Sequence, residues 1–268
     1  MHEQYGPIIR INPYELHIDD LEYYDELYAG STRKRENDLL PPQEKTVNRL
    51  ADDGNILIGA GGETTAQTLA VLFYHLLENP RILSTVRNEI STVDEDITWV
   101  KLEKLPFLLA VITETLRISS VVTTRLPRVA PDENLKFKQW TIPAGTPISM
   151  SYYLIHYSPI IFPSPEEFDP TRWIANSALG DSAPGNAVRN HRLGKYFVPF
   201  SKGTRICLGV NLAYAELFLT TAYILKRFDF ELFGTTKKDV EIKRDHFVAA
   251  PAAGSKGIRV IVTSDRGE

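Results

Sequence analysis

Apolar positions recur with the helical period over most of this chain, and a period of two shows only in short stretches. Around Asn12-Pro13, Ile8 to Ile18 carries short apolar runs in which Leu16 and Ile18 alternate with polar neighbours, predicting two strands about a turn. Asp20 is placed to cap a Tyr- and Leu-rich helix that Gly30 stops. Residues 31–42 are charged and close on two prolines, which makes them a connector. From Gln43 to Glu78 the spacing predicts one long helix, ended by Asn79-Pro80. Further helices are expected over about Pro80 to Thr92, Pro106 to Ser119 and Leu208 to Phe228. Val122 to Met150 reads as short β segments with Pro and Gly corners, and Gly257 to Val262 as a strand. Residues 176–190, rich in Ala, Gly, Asn, Asp and Ser, read as a mobile surface loop. The expected class is mainly α with a small β portion. Its organisation is a β/helix segment over 1–30, the connector 31–42, and one unit over 43–268.

Composition adds exclusions. With 268 residues and 43% hydrophobic content, the chain can bury the core of one large or two modest domains. A net charge of −4 speaks against a nucleic-acid partner, which calls for concentrated basic surface. One cysteine cannot form an intramolecular disulfide and gives no support for oxidising export. Met1 to Pro7 is polar, without the apolar core of a signal peptide. No run reaches the roughly 18 uncharged apolar residues of a membrane span, so the chain as written is expected to be soluble and without a membrane anchor.

The single cysteine, Cys207, has informative neighbours. It lies in Phe200-Ser201-Lys202-Gly203-Thr204-Arg205-Ile206-Cys207-Leu208-Gly209, a glycine-punctuated turn running into a helix. A lone cysteine is most often a small buried hydrophobe. Here Pro199 precedes the turn, Gly203 and Gly209 free its backbone, and Lys202 and Arg205 bring positive charge. A thiol beside cations at a helix start ionises more readily, and the thiolate is the metal-binding form. The centre of the long helix is also unusual, reading Gly59-Ala60-Gly61-Gly62-Glu63-Thr64-Thr65. Each interior glycine costs roughly 1 kcal/mol relative to alanine. Gly62 suits either close packing, a flat object against the backbone, or a local break in the helix ladder. The stretch lacks the Gly-Lys-Ser/Thr ending of a phosphate loop.

Together these motifs resemble the cytochrome P450 family of haem-thiolate monooxygenases. Phe-x-x-Gly-x-Arg-x-Cys-x-Gly is similar to that family's ligand loop, and Ala/Gly-Gly-x-Glu/Asp-Thr-Thr to its oxygen-activating segment. Three more matches follow in order: Glu114-Thr115-Leu116-Arg117, Arg125-Leu126-Pro127-Arg128, and Phe168-Asp169-Pro170-Thr171-Arg172-Trp173. The resemblance covers roughly residues 46–265, and its wording looks like fungal secondary-metabolism members, including the trichodiene-oxygenase-like group.

The resemblance implies haem b with Cys207 as axial thiolate, which pushes electron density toward iron. It makes Phe200, Gly203, Gly209, Gly61 and Gly62 part of the cofactor cradle. Arg128 and Arg205 become propionate partners, a role that suits the planar fork of arginine. Thr64 and Glu63 would relay protons. Glu114, Arg117 and Arg172 would lock the scaffold behind the haem, and His156 falls where the family often has a structural histidine. The reaction implied splits O2, placing one atom in a small apolar, terpenoid or other secondary-metabolite substrate and the other in water. Electrons would come from NADPH through a separate cytochrome reductase.

Family members are much longer. The helical block that follows the early β segment and helix is expected to be absent here, together with the membrane anchor. The family sits on the endoplasmic-reticulum membrane; this chain as written would be cytoplasmic or peripheral. Loss of the block would expose one side of Leu69-Ala70-Val71-Leu72-Phe73 and open the haem to water. Impaired activity is therefore expected. A non-catalytic or decayed haem-binding fragment and a haem-thiolate isomerase or dehydratase are the alternatives.

Overall fold

The computed structural model describes residues 7–12, 15–18, 20, 22–23, 47–174 and 191–267. The helix expected after Asp20, the connector 31–42 and the loop 176–190 lie outside the described residues. Among those described, the fold is mainly helical with a small sheet portion.

The two opening strands form as expected. β1 (Ile8–Asn12) pairs antiparallel with β2 (Glu15–Ile18). Asp20 Oδ1 accepts from the backbone N–H groups of Glu22 and Tyr23 at 3.0 and 3.2 Å, the contacts of a cap.

The long helix α1 (Val47–Glu78) ends at Asn79, whose side-chain amide donates to His75 O at 2.7 Å. Pro80 then starts α2 (Pro80–Ser91), where its missing N–H costs nothing. A single turn not foreseen in the pattern, α3 (Trp99–Leu102), leads into α4 (Pro106–Ser119). No side chain at Leu105 caps α4. Glu89 of α2 does so from a neighbouring helix, accepting from the N–H groups of Phe107 and Leu108 at 3.0 and 2.8 Å. From Leu108 onward every residue of α4 except Leu109 is buried, so this helix is enclosed on all sides.

After α4 come β3 (Leu135–Phe137), β4 (Trp140–Ile142) and β5 (Ile148–Ser149). β3 and β4 make a hairpin, and β5 lies parallel to β2, completing a three-stranded sheet. Short helices α5 (Tyr152–His156) and α6 (His191–Gly194) precede α7 (Val210–Arg227). α7 begins two residues later than the apolar pattern suggests. β6 (Phe228–Leu232), the hairpin β7 (Arg244–His246) and β8 (Val248–Ala250), and β9 (Val260–Asp265) close the chain. β9 starts and ends three residues later than expected and pairs antiparallel with β6, a pairing no local pattern announces.

The main helical core joins α1, α2, α4 and α7 through Leu72, Leu76, Val86, Ile112, Leu116 and Phe218. A second core lies under the strands, around Ile18, Phe137, Ile148 and Val198. The expected exposure of Leu69 to Phe73 is corrected: Val71 and Leu72 are buried and the others half-buried. α4, α7 and β6 pack on α1 and cover that stretch. The open apolar positions of α1 lie earlier, at Ile56 and Ile58, the latter 76% exposed. Gly54–Glu78 is long and apolar enough to cross a membrane by length and composition, although Glu63 interrupts it and α4 and α7 occupy part of its surface.

Candidate functional site

The Cys207 turn is built from backbone hydrogen bonds. Ser201 N–H donates to Val198 O at 3.1 Å, closing a turn in which Pro199 presets the second residue. Ser201 (φ 65°) and Gly203 (φ 74°) both take the left-handed conformation that lets the chain double back. A 3-10 turn over Gly203–Arg205 follows, and Cys207 N–H returns to Phe200 O at 2.9 Å. Cys207 itself is exposed. Phe200 packs its ring near Tyr214 of α7, at 5.5 Å between centroids, and so anchors the loop to the helix behind it. Gly209 stands at the N-cap of α7 and accepts from Ala213 N–H at 2.8 Å.

Around the thiol the surface is apolar. Ile206, Leu208 and Leu212 are exposed, Leu208 to 88%. Exposed isoleucine and leucine beside an exposed thiol make a patch of the kind that meets an apolar partner. Arg205 is exposed at its edge. Lys202, read from the sequence as a neighbouring charge, sends its ammonium to Lys195 O at 2.8 Å.

In the centre of α1, a Cβ added at Gly59, Gly61 or Gly62 would meet nothing within 4 Å. Close packing by a neighbouring element is thus not the reason for these glycines among the described residues. The helix itself continues unbroken through them. Thr64 Oγ1 donates to Ala60 O at 2.6 Å, and Thr68 Oγ1 to Thr64 O at 2.9 Å. Glu63 is exposed beside Thr64. One turn on, Gln67 donates its amide to Ala249 O, tying α1 to β8.

Glu114, Arg117 and Arg172 do come together. Glu114 and Arg117 are fully buried, with a 2.8 Å ion pair, and Arg172 Nε reaches Glu114 Oε1 at 3.0 Å. Arg117 uses all its donors: two on Glu114, and the rest on the carbonyls of His156, Pro165 and Glu167 at 2.9, 2.8 and 3.2 Å. Two partners were not foreseen. Trp173 Nε1 donates to Glu114 Oε2 at 2.8 Å, and Asp169 N–H to Glu114 Oε1 at 3.1 Å. Both belong to the Phe168–Trp173 motif, but nothing local marks them as donors to a carboxylate more than fifty residues away.

Arg128 is buried, and its backbone pairs both ways with Ile148 at 2.8 Å, extending the strand region. Its guanidinium donates to Pro127 O at 3.1 Å. His156 is wholly buried, and burial, reinforced by the nearby Arg117 charge, pushes its pKa down to about 3. His75, stacked on Phe168 at 4.4 Å, is held at about 4, mainly by burial and then by Lys237 and Arg117. A cavity of about 90 Å³ beside His75 is lined by Val71, Tyr157 and Lys237; neither Cys207 nor Thr64 borders it.

Comparison with known proteins gives the family of the chain. The cytochrome P450 family model matches residues 4–255. The chain belongs to the cytochrome P450 family, whose members hold haem through a cysteine thiolate. It is 44% identical over 232 residues to "Cytochrome P450 monooxygenase claJ" of Penicillium crustosum, covering 84% of this chain and 51% of that protein. It is 40% identical to "N-acetyltryptophan 6-hydroxylase ivoC" of Emericella nidulans, over 90% of this chain and 45% of the other. With "Cytochrome P450 monooxygenase TRI4" of Fusarium sporotrichioides it shares 38% identity over 85% of its own length and 45% of the relative's. The chain spans about half the length of the curated relatives it matches.

The described residues fit a haem on their own chemistry. The open backbone at Gly61 and Gly62 suits a flat group, the exposed thiol offers one soft ligand, and Leu208 and Ile206 present apolar surface around it.

Proposed function

We propose that this chain carries the haem-binding and proton-delivering part of a cytochrome P450 monooxygenase, acting on a small apolar molecule of fungal secondary metabolism. The observation that carries the reading is the exposed Cys207, held in a turn closed by the Cys207–Phe200 backbone bond and flanked by exposed Ile206 and Leu208. Cys207 would be the axial ligand. Phe200, Gly203 and Gly209 shape the turn that presents it, and Gly61 and Gly62 leave room for the ring plane. Arg128 and Arg205 would meet the propionates. Bound haem supplies reductive O2 cleavage, with two electrons and two protons consumed, one oxygen entering the substrate and the other leaving as water. The electrons are assigned to NADPH through a separate reductase.

The protein's own share of the chemistry is proton transfer. Thr64 Oγ1 donates its proton to Ala60 O, which leaves its lone pairs as acceptors for a water. Exposed Glu63, the adjacent residue, would be the acid of that relay. Thr64→Ala should therefore raise oxygen consumption per product formed. Unchanged coupling would remove Thr64 from the relay.

The primary test is the carbon monoxide difference spectrum of the reduced chain expressed with haem supply. A thiolate-type Soret band in the unaltered chain and its loss in Cys207→Ala are expected. A retained thiolate band in Cys207→Ala would refute the ligand assignment. A second reading, haem binding without turnover, is favoured by the open apolar positions Ile56, Ile58 and Leu208. Peroxide-supported product formation without reductase separates the two readings, since only the first predicts product.

A further inference from the structure

The two ring nitrogens of His156 make opposite kinds of hydrogen bond. Nε2 lies 3.1 Å from Val198 N, a backbone group that can only donate, so Nε2 carries the lone pair. Nδ1 lies 3.1 Å from Ser120 Oγ. The Ser120 hydroxyl already donates its one proton to Arg117 O at 2.9 Å, so it accepts from Nδ1–H. Both contacts independently demand the same neutral tautomer. Ser120 is held for this bond by an unusual backbone, the left-handed C-cap of α4 at φ 34°. His156 in turn offers its carbonyl to Arg117, so ring and main chain are both tied to α4.

Val198 matters because of where it stands. Its carbonyl accepts from Ser201 N–H, and Phe200, inside that turn, accepts from Cys207 N–H. The His156–Val198 bond is therefore the root of the turn that presents the thiol. Phe197, immediately before Val198, stacks on the imidazole at 6.0 Å between centroids.

We infer that His156 is a positioning residue for the thiol loop: as a neutral Nδ1–H imidazole it clamps Val198 to the end of α4 and so fixes the seat of Cys207. The inference rests on the proposed role of Cys207 as the haem ligand, but the clamp itself exists without haem. It assigns the histidine a hydrogen-bond acceptor's task rather than a packing one. An aromatic ring of the same size cannot replace it, while an acceptor of similar reach can.

The test compares His156→Phe with His156→Gln in this same chain. Amide hydrogen exchange of peptides containing Val198, measured without haem, reads the clamp directly. His156→Phe is expected to speed that exchange roughly tenfold, as loss of a buried acceptor should, while His156→Gln stays within about threefold of the unaltered chain. In the haem-loaded chain, the share of thiolate-type Soret band should fall in His156→Phe and be rescued in His156→Gln. Unchanged exchange at Val198 in His156→Phe would overturn the inference, as would equal damage in a folded His156→Gln. Should His156→Phe fail to fold, Ser120→Ala gives the same readout: faster exchange at Val198 supports the clamp and unchanged exchange refutes it. If the unaltered chain shows no thiolate band, the ligand reading fails, while the exchange measurement still decides the clamp.

Discussion

Glu114, fully buried, holds five donors on two oxygens, and its surroundings set the cost of losing it. Removing the carboxylate leaves the Arg117 charge buried with only backbone carbonyls for partners, a situation that costs about 3–5 kcal/mol. Glu114→Ala should lower unfolding stability by that much in urea titration, or prevent folding. Arg172→Ala should cost less than Arg117→Ala, because Arg172 keeps some solvent access and makes fewer bonds. Equal costs would argue against a network centred on Glu114 and Arg117. Two histidines, the wholly buried His156 and the half-buried His75, add a pH dependence. Both are held neutral in the fold, at about 3 for His156 and about 4 for His75, against 6.5 when unfolded. Between those values the unfolded state binds more protons, so stability falls as pH drops below about 6.5. Each contributes a slope of up to about 1.4 kcal/mol per pH unit. Denaturation midpoints should be lower at pH 5 than at pH 7.5, and less so in His156→Gln.

At the scale of the element, the glycines of α1 set two properties against each other. Nothing lies within 4 Å of a Cβ built at Gly62, and the helix is regular there. Gly62→Ala should therefore stabilise the haem-free chain by about 0.5–1 kcal/mol through lost unfolded-state freedom. The same methyl would stand where the ring plane is proposed to lie, so haem occupancy should fall. A variant that gains stability and keeps full occupancy would separate these glycines from the cofactor. Elsewhere the elements depend on one another for their ends. α4 begins properly only because Glu89 of α2 supplies the acceptor that Leu105 lacks, so Glu89→Ala is expected to cost about 1 kcal/mol.

Across the whole molecule, apolar surface is divided unevenly. The cores are closed, with Leu72, Leu76, Ile112 and Phe218 wholly or almost wholly buried, yet Ile56, Ile58, Ile206, Leu208 and Leu212 face outward. Open apolar surface on this scale favours association. The haem-free chain should self-associate with rising concentration in sedimentation, and Ile58→Lys should reduce this without lowering unfolding stability. An unchanged association constant in Ile58→Lys would exclude this part of α1 from the contact.

Much of this was legible in the chain before folding. Asn79-Pro80 and Pro106 mark helix boundaries because proline acts on its own backbone and that of its immediate neighbour, whatever surrounds it. The Phe200–Gly209 and Gly59–Thr65 motifs, the two opening strands and the mainly helical class are legible for the same reason: each is written within one short stretch. Burial and long-range pairing are not. Glu114 and Arg117, three apart on a helix, look like an ordinary surface pair until Trp173 and the 163–169 segment close over them. The β6–β9 pairing and the single tautomer of His156 likewise depend on groups tens of residues away. Local steric rules determine where elements start and stop; which polar groups lose water, and what must replace it, is decided only when those elements pack.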